Sequence, residues 1–474
     1  MKYHTVIGLE IHIELLTKSK LFCNCSTEFG REANSQVCPI CLGMPGTLPL
    51  LINEDAVKLA VKMVLALNCR IPEKTSFFQK NYWYPDLPKG YQLSQCIEPI
   101  GFDGYLNASK KTIRVKEAHL EEDVGKLIHN KDGNCTLIDF NRSGIPLLEI
   151  VTQPDIESSE EADDFLRRIK LIAQYLGVSN CNMEEGSLRC DGNLSVRAEE
   201  KKELGTKTEV KNMNSFKTLR KALSYEKNRQ IELLKKGEEI IQETRQWDEE
   251  KGITVAMRVK TESHNVRYFV EPDLPALIIE KDWIRKIREE MDELPQAKKE
   301  RFIEKYNISD YEANILTSQK PLADYFEESV KHFRKPKLIT NWILTELLGR
   351  LNFQHLTIDQ SPVTPIYLAE LLQLIAGNKV SGKMGKEILD KVFQTGKSPT
   401  LIVKEGGLTQ ISGSSELLKF VREVIKENPK TISDYKKGKE RAIGFLVGMV
   451  MRKTKGRANP SNVNKFLQEE LKKL

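Results

Sequence analysis

The stretch Thr5-Val-Ile-Gly-Leu-Glu-Ile-His-Ile-Glu-Leu15 decides how the first half of the chain folds. In an extended strand, successive side chains point to opposite faces. Thr5, Ile7, Leu9, Ile11, Ile13 and Leu15 then make an almost wholly apolar face, which needs a core beneath it. Val6, Gly8, Glu10, His12 and Glu14 share the other face, so two carboxylates and an imidazole line it. One packed face and one wet face is the ordinary pattern of an antiparallel sheet.

The pattern recurs. The run Ile113-Arg-Val-Lys-Glu-Ala-His119-Leu-Glu121-Glu122-Asp123 ends in a dense acidic group beside an imidazole. Between Met183 and Arg197, alternation puts Arg189, Asp191 and Asn193 on one face and Leu188, Cys190, Leu194 and Val196 on the other. Lys207, Glu209 and Lys211 share a face of the strand that follows. Carboxylates, histidines and cations on the polar faces of several strands suit a place where Mg²⁺ meets nucleotide phosphates. Mg²⁺ takes hard oxygen ligands, and Lys and Arg neutralise charge that develops in phosphoryl transfer. No Walker loop, GxGxxG turn or protein-kinase signature is present. There is no GxSxG elbow and no convincing Ser-Lys or Cys-His pair, so the chain has no evident means of making ammonia.

Nine cysteines are present, and four cluster as Cys23-Asn-Cys25 and, twelve residues on, Cys38-Pro-Ile-Cys41. Two close pairs across a short loop can place four thiolates around one zinc. With no fifth group to suggest an open position, such a zinc is structural. Cys69, Cys96, Cys135, Cys181 and Cys190 are scattered and read as small core residues.

The chain of 474 residues carries 73 Lys+Arg against 67 Asp+Glu, a net +6. From Gly406 to Leu474 there are 15 against 7, a net +8, and the preceding 405 residues carry −2. A basic terminal module points to a partner rich in phosphate, most simply nucleic acid. No apolar run reaches the ~18 residues of a membrane helix, and the start lacks the pattern of a signal peptide. A cytoplasmic protein is expected. Residues 1 to about 290 mix short strands, turns and a few helices. From about 294 to 405 the periodicity predicts helices over Ala297–Tyr306, Tyr311–Leu316, Leu322–Val330 and Pro365–Ile375. The tail predicts Ser415–Asn428, Gly438–Arg452 and Asn462–Lys473.

The segment IDFNRSGIPLLEI, Ile138 to Ile150, resembles the signature of the B subunits of the tRNA-dependent amidotransferases. VIGLEIHIEL from Val6, KNYWYPDLPKGYQLSQ from Lys80, MEEGSLRCD from Met183 and TEVKNMNSF from Thr208 resemble the same family. GFLVGMVMRKTKGRANP from Gly444 is similar to the YqeY-type tail motif. The resemblance spans essentially the whole chain. It implies an α+β protein: an antiparallel-sheet cradle domain similar to glutamine synthetase over 1–293, with the zinc knuckle at 23–41, a helical middle domain over 294–405, and a basic helical YqeY-like tail over 406–474. It also implies ATP and Mg²⁺ as cofactors beside structural zinc. ATP would phosphorylate the side-chain carboxylate of Glu-tRNA(Gln) or Asp-tRNA(Asn). Ammonia from a glutaminase (A) subunit would complete the amide, with a small C subunit bridging the assembly.

Carried over residue by residue, the resemblance places Glu10, His12, Lys80, Glu122, Asp191 and Glu209 at the chemistry, and Glu121, Lys211 and Arg189 at the nucleotide. Glu122, Asp191, Glu209 and His12 are the expected Mg²⁺ ligands, and Cys23, Cys25, Cys38 and Cys41 the zinc ligands. Asn81, Tyr82 and Gln95 are candidates for the cavity wall. Lys436, Lys437, Arg452, Lys453, Lys455 and Arg457 are expected to hold tRNA backbone, where shape and phosphate contact suffice.

Overall fold

The computed structural model describes residues 2–49, 51–108, 111–129, 135–259, 266–406, 414–436, 441–454 and 458–473. Contacts divide the chain into two units, Met1–Leu294 and Pro295–Leu474.

The first unit runs β1 (Tyr3–Glu14), α1 (Glu54–Ala66), β2 (Lys74–Thr75), β3 (Phe78–Asn81), β4 (Tyr91–Ser94), β5 (Gly101–Ala108), β6 (Lys111–Glu122), β7 (Lys126–His129), β8 (Thr136–Asp139), β9 (Pro146–Thr152), α2 (Ser159–Tyr175), β10 (Leu188–Ala198), β11 (Thr208–Lys211), α3 (Phe216–Lys236), β12 (Glu243–Asp248), β13 (Ile253–Val259), β14 (Arg267–Val270), β15 (Leu277–Ile278) and α4 (Lys281–Glu290). Eleven strands form one sheet in the order β13-β12-β11-β10-β1-β9-β6-β4-β3-β14, with β5 also on β6. The sheet is mixed, not antiparallel throughout, because β11 and β12 pair in parallel. A parallel pair needs a long crossover, and α3 supplies it.

β1 lies inside the sheet, between β10 and β9. Its apolar face is sealed: Ile7, Leu9, Ile11 and Ile13 join the core cluster that also takes α1, α2 and α3. Gly192 on β10 is glycine for a steric reason. A Cβ there would sit 2.8 Å from Leu223 Cδ2, so any side chain would push α3 off the sheet. Serines mark the helix starts, as Ser158 and Ser215 accept from the amides of Glu161 and Thr218.

β6 contains an irregularity that alternation alone does not show. Its register on β9 shifts between Val115 and Glu117, and a bulge of this kind exchanges the two faces of a strand. Before it, Ile113 and Val115 are buried in the core. After it, Ala118 and Leu120 are. Glu117, His119 and Glu121 are thereby turned to the polar face, and Glu122 away from it.

The second unit is helical. Helices Pro295–Tyr306, Asp310–Leu316, Lys320–His332 and Pro365–Ala376 cover the four runs read from periodicity. Their core cluster extends from Phe302 to Val403. A separate cluster, Leu417 to Leu471, joins Ser414–Glu427, Arg441–Lys453 and Pro460–Leu471. Pro429–Lys436 is a further short helix that the sequence pattern did not suggest; Pro at its first position suits a helix start. No helix of the described residues is long and apolar enough to cross a membrane.

Candidate functional site

Strand register collects the polar residues. Glu10 lies opposite Asp191 on β10. His12 lies opposite Arg189 on β10 and Glu149 on β9. Glu149 in turn faces His119 on β6. Asn193 faces Glu209 on β11, and Ser94 on β4 faces Glu121.

At the centre, His12 Nε2 is 3.8 Å from Glu10 Oε1 and 3.8 Å from Glu149 Oε2. One ligand atom from each of the three lies within 4.8 Å of the others, close enough to share a metal ion. Burial, then the charges of Glu149 and Asp191, push Glu10 up to about 7. Burial pulls His12 below its ordinary value, which leaves a neutral ring able to donate a lone pair. Glu121 is 2% exposed, and burial and Glu149 push it up to about 8. Its Oε2 is buried with no hydrogen-bond partner. Buried carboxylates crowded this way call for a cation. Lys80 answers part of that need: burial opposes its charge, but Glu121 and Glu149 hold it above the usual lysine range.

On one flank, Lys211 Nζ is 2.5 Å from Asp191 Oδ2 and 3.4 Å from Glu209 Oε1. Glu209 also accepts from Thr244 Oγ1 at 2.6 Å. Burial opposes the Lys211 charge, yet Asp191 and Glu209 hold it above its ordinary value. On the other flank, Arg189 donates to Asp123 Oδ2 at 2.5 Å, and Arg142 Nε is 3.5 Å from the same oxygen. Burial would raise Asp123, but the two guanidiniums hold it at about 2. Neighbouring Glu14 is pushed up to about 8 by burial and by Asp123. A cleft of about 650 Å³ opens beside this flank, lined by Glu14, Arg142, Arg189 and Asp191 and by Phe29 and Arg31 of the cysteine-rich loop. That volume accommodates a small-molecule substrate or nucleotide.

Glu10, His12, Asp191, Glu209, Lys211, Arg189, Glu121 and Lys80 therefore share one polar wall. Glu122, expected there as a metal ligand, does not. The bulge in β6 turns it to the opposite side, where Lys89 pairs with it and the Leu93 amide donates to it at 2.9 Å. Gln95 is wholly buried and fixes His119: its carbonyl oxygen is 3.0 Å from Nδ1, so that nitrogen carries the proton. Asn81 is engaged with the carbonyls of Gln79 and Arg267, and Tyr82 with Gln92. Glu149, at the middle of the wall, was missed. Its one signal in the sequence is a lone acid in the apolar run Ile145–Val151. Arg142 and Asp123 were also missed as site residues, because only the fold brings them onto Arg189.

The four clustered cysteines are brought together, each offering a sulfur within 4.8 Å of the other three. The Cys38 amide donates to Cys41 Sγ at 3.2 Å. Hydrogen bonding from Cys23 pulls Cys41 down to about 4, while Cys25 is pushed up to about 11, chiefly by burial. Four convergent sulfurs, one already driven toward thiolate, fit a tetrahedral soft-metal site.

In the tail, Arg452 is exposed. Lys453 instead contacts Glu423 at 3.0 Å and Glu427 at 2.6 Å, so it is already paired. Lys436 ends its helix, and nothing is described of its side chain. Lys437, Lys455 and Arg457 lie outside the described residues.

Residues 5–285 match the family model described as the GatB/GatE catalytic domain, and residues 324–471 match the GatB domain model. The chain is 51% identical over 480 residues to the aspartyl/glutamyl-tRNA(Asn/Gln) amidotransferase B subunit of Carboxydothermus hydrogenoformans, all of both chains being covered. It is 52% identical over 478 residues to the protein of the same name from Caldanaerobacter subterraneus subsp. tengcongensis, and 50% identical over 476 residues to that of Thermodesulfovibrio yellowstonii, again over both full lengths.

Proposed function

The chain belongs to the family of aspartyl/glutamyl-tRNA(Asn/Gln) amidotransferase B subunits, and from that premise we propose that its polar wall activates the substrate carboxylate by ATP-dependent phosphorylation. The observation that carries this reading is the junction of Glu10, His12 and Glu149, with Lys80 and Lys211 on either side of it. An oxygen of the substrate's side-chain carboxylate attacks the γ-phosphorus of ATP and ADP departs, leaving an acyl phosphate. Ammonia supplied by the glutaminase subunit then attacks the acyl carbon, inorganic phosphate leaves, and the amide remains. Glu10, His12 and Glu149, with Glu121, would hold Mg²⁺. The ion supplies charge neutralisation between two anions that otherwise repel. Lys211 and Lys80 orient phosphate oxygens. Arg189, engaged by Asp123, orients Asp191 and the cleft wall. The imidazole among the donors makes Mn²⁺ a competent substitute.

In the same reading, the cysteine cluster holds zinc, the small C subunit completes the assembly, and the protein works in the cytoplasm, where charged tRNA is. The division is 1–293 for a glutamine-synthetase-like cradle, 294–405 for a helical connector and 406–474 for a tail that grips tRNA backbone, with exposed Arg441 and Arg452 facing phosphate. A non-catalytic RNA-binding scaffold would not need the crowded acids of the wall. A ligase for free amino acids would not need the tail.

The test uses the assembled complex with Glu-tRNA(Gln), ATP, Mg²⁺ and ammonium, which bypasses glutamine hydrolysis. Gln-tRNA should form only when ATP is present. No product, or product without ATP, overturns the reading. Because Glu10 rises to about 7 and Glu121 to about 8, a divalent ion must displace protons to bind below those values. Mn²⁺ affinity, followed by calorimetry in buffers of different ionisation heat, should therefore climb between about pH 6 and 8.5 with proton release. A flat profile would contradict the assigned ligands.

A further inference from the structure

Lys20 is 1% exposed, and lysine is almost never fully buried unless paired. Among the described residues no carboxylate lies within ion-pair distance of it. Its ammonium contacts two groups: Cys41 Sγ at 3.6 Å and the carbonyl oxygen of Phe140 at 3.3 Å. If all four cysteines were neutral thiols, a cation would be buried with only neutral partners, at a cost of several kcal/mol. Four thiolates around a divalent ion carry a net charge of −2, and one buried ammonium halves it.

The side chain is also held in place. The Lys20 amide donates to the Cys25 carbonyl at 3.0 Å, and the next amide, of Leu21, donates to the Gly144 carbonyl at 2.8 Å. The Lys20 stem packs on Gly144, where an added Cβ would lie 3.3 Å from Lys20 Cδ. So Lys20 spans the cysteine cluster and the turn Phe140–Gly144, which carries Arg142.

We propose that Lys20 is the built-in counter-charge of a tetrathiolate metal site and the tie that fastens that site to the Phe140–Gly144 turn. It is a positioning residue and touches no reacting atom. The inference rests on the metal reading of the cysteines and is independent of the amidation chemistry.

The experiment compares wild-type protein with Lys20→Met and Lys20→Arg in the full chain. Metal content is measured first by elemental analysis. About one zinc per wild-type chain supports the metal reading, and none overturns it. Release to a chromogenic chelator is then followed with time. Lys20→Met, which keeps length and apolar stem, should lose zinc ~10- to 100-fold faster, the scale on which outer-shell partners act, and Lys20→Arg should recover most of the retention. Equal release from Lys20→Met and wild type overturns the counter-charge role even if the melting temperature falls, since a merely packing role would lower stability alone. Should Lys20→Met not fold, Lys20→Arg and Lys20→Gln replace it. A neutral Gln variant that holds zinc as firmly as Arg overturns the proposal.

Discussion

Replacing Glu149 by Gln is expected to lower ATP-dependent amidation by about a thousand-fold or more, the scale of losing a preorganised charge at a reacting centre. Glutamine hydrolysis by the glutaminase partner should survive. The residue stands between His12 and His119, and its charge acts on both Glu10 and Glu121. Gln keeps the volume and removes the charge, so the metal junction loses a ligand while the sheet stays packed. The same variant should be more stable than the parent at alkaline pH when no divalent ion is present. The sign follows from the raised values of Glu10 and Glu121. Carboxyls whose folded values exceed their unfolded ones contribute stability that is complete below about 4.5 and is lost as pH climbs through about 7 and 8. Glu149 is a cause of both shifts, so removing it shrinks the loss. Melting curves at about pH 6 and 8.5 should converge for the variant and diverge for the parent. Normal amidation by Glu149→Gln would place the chemistry elsewhere.

The polar wall was legible in the sequence as far as strict alternation reaches. β1 and β10 are regular over Glu10 to His12 and Arg189 to Asn193, so their facing residues could be read directly and paired correctly in kind. β6 was not legible, because its bulge exchanges faces between Val115 and Glu117 and no residue type announces it. That shift is why Glu122 was misplaced while its neighbour Glu121 was not. Glu149 was hidden for another reason. β9 lies inside the sheet and reads as a nearly continuous apolar run. The parallel pairing of β11 with β12 was invisible because nothing in either strand encodes it. It depends on α3 running its full 21 residues between them. In the tail, charge could be counted but not apportioned. Lys453 is spent on Glu423 and Glu427, residues that periodicity places on another helix without saying which face meets it.

Cys38→Ser should be the most destabilising single change in the first unit. Apparent folding energies of structural zinc sites run to ~10 kcal/mol or more, and the segment around this cluster has little else to hold it. Residues 27 to 49 contain no helix or strand, and a loop that long keeps one shape only when clamped. Once clamped, it grips the wall from outside. Asn34 takes the Phe140 amide at 2.8 Å and gives to the Ile138 carbonyl at 3.0 Å, and the Gln36 amide donates to Asn141 Oδ1 at 2.8 Å. Gly43 presses on Lys89, where an added Cβ would fall 2.9 Å from its Cα, and Lys89 holds Glu122 beside Glu121. Loss of the metal should therefore reach the wall through Arg142 and Glu121 although no wall residue has changed. The expected results are loss of bound zinc, rapid proteolysis within residues 26–48, a melting temperature lowered by many degrees, and reduced ammonium-dependent amidation. A Cys38→Ser protein that kept its metal and resisted protease like the parent would show that the loop is held by packing alone.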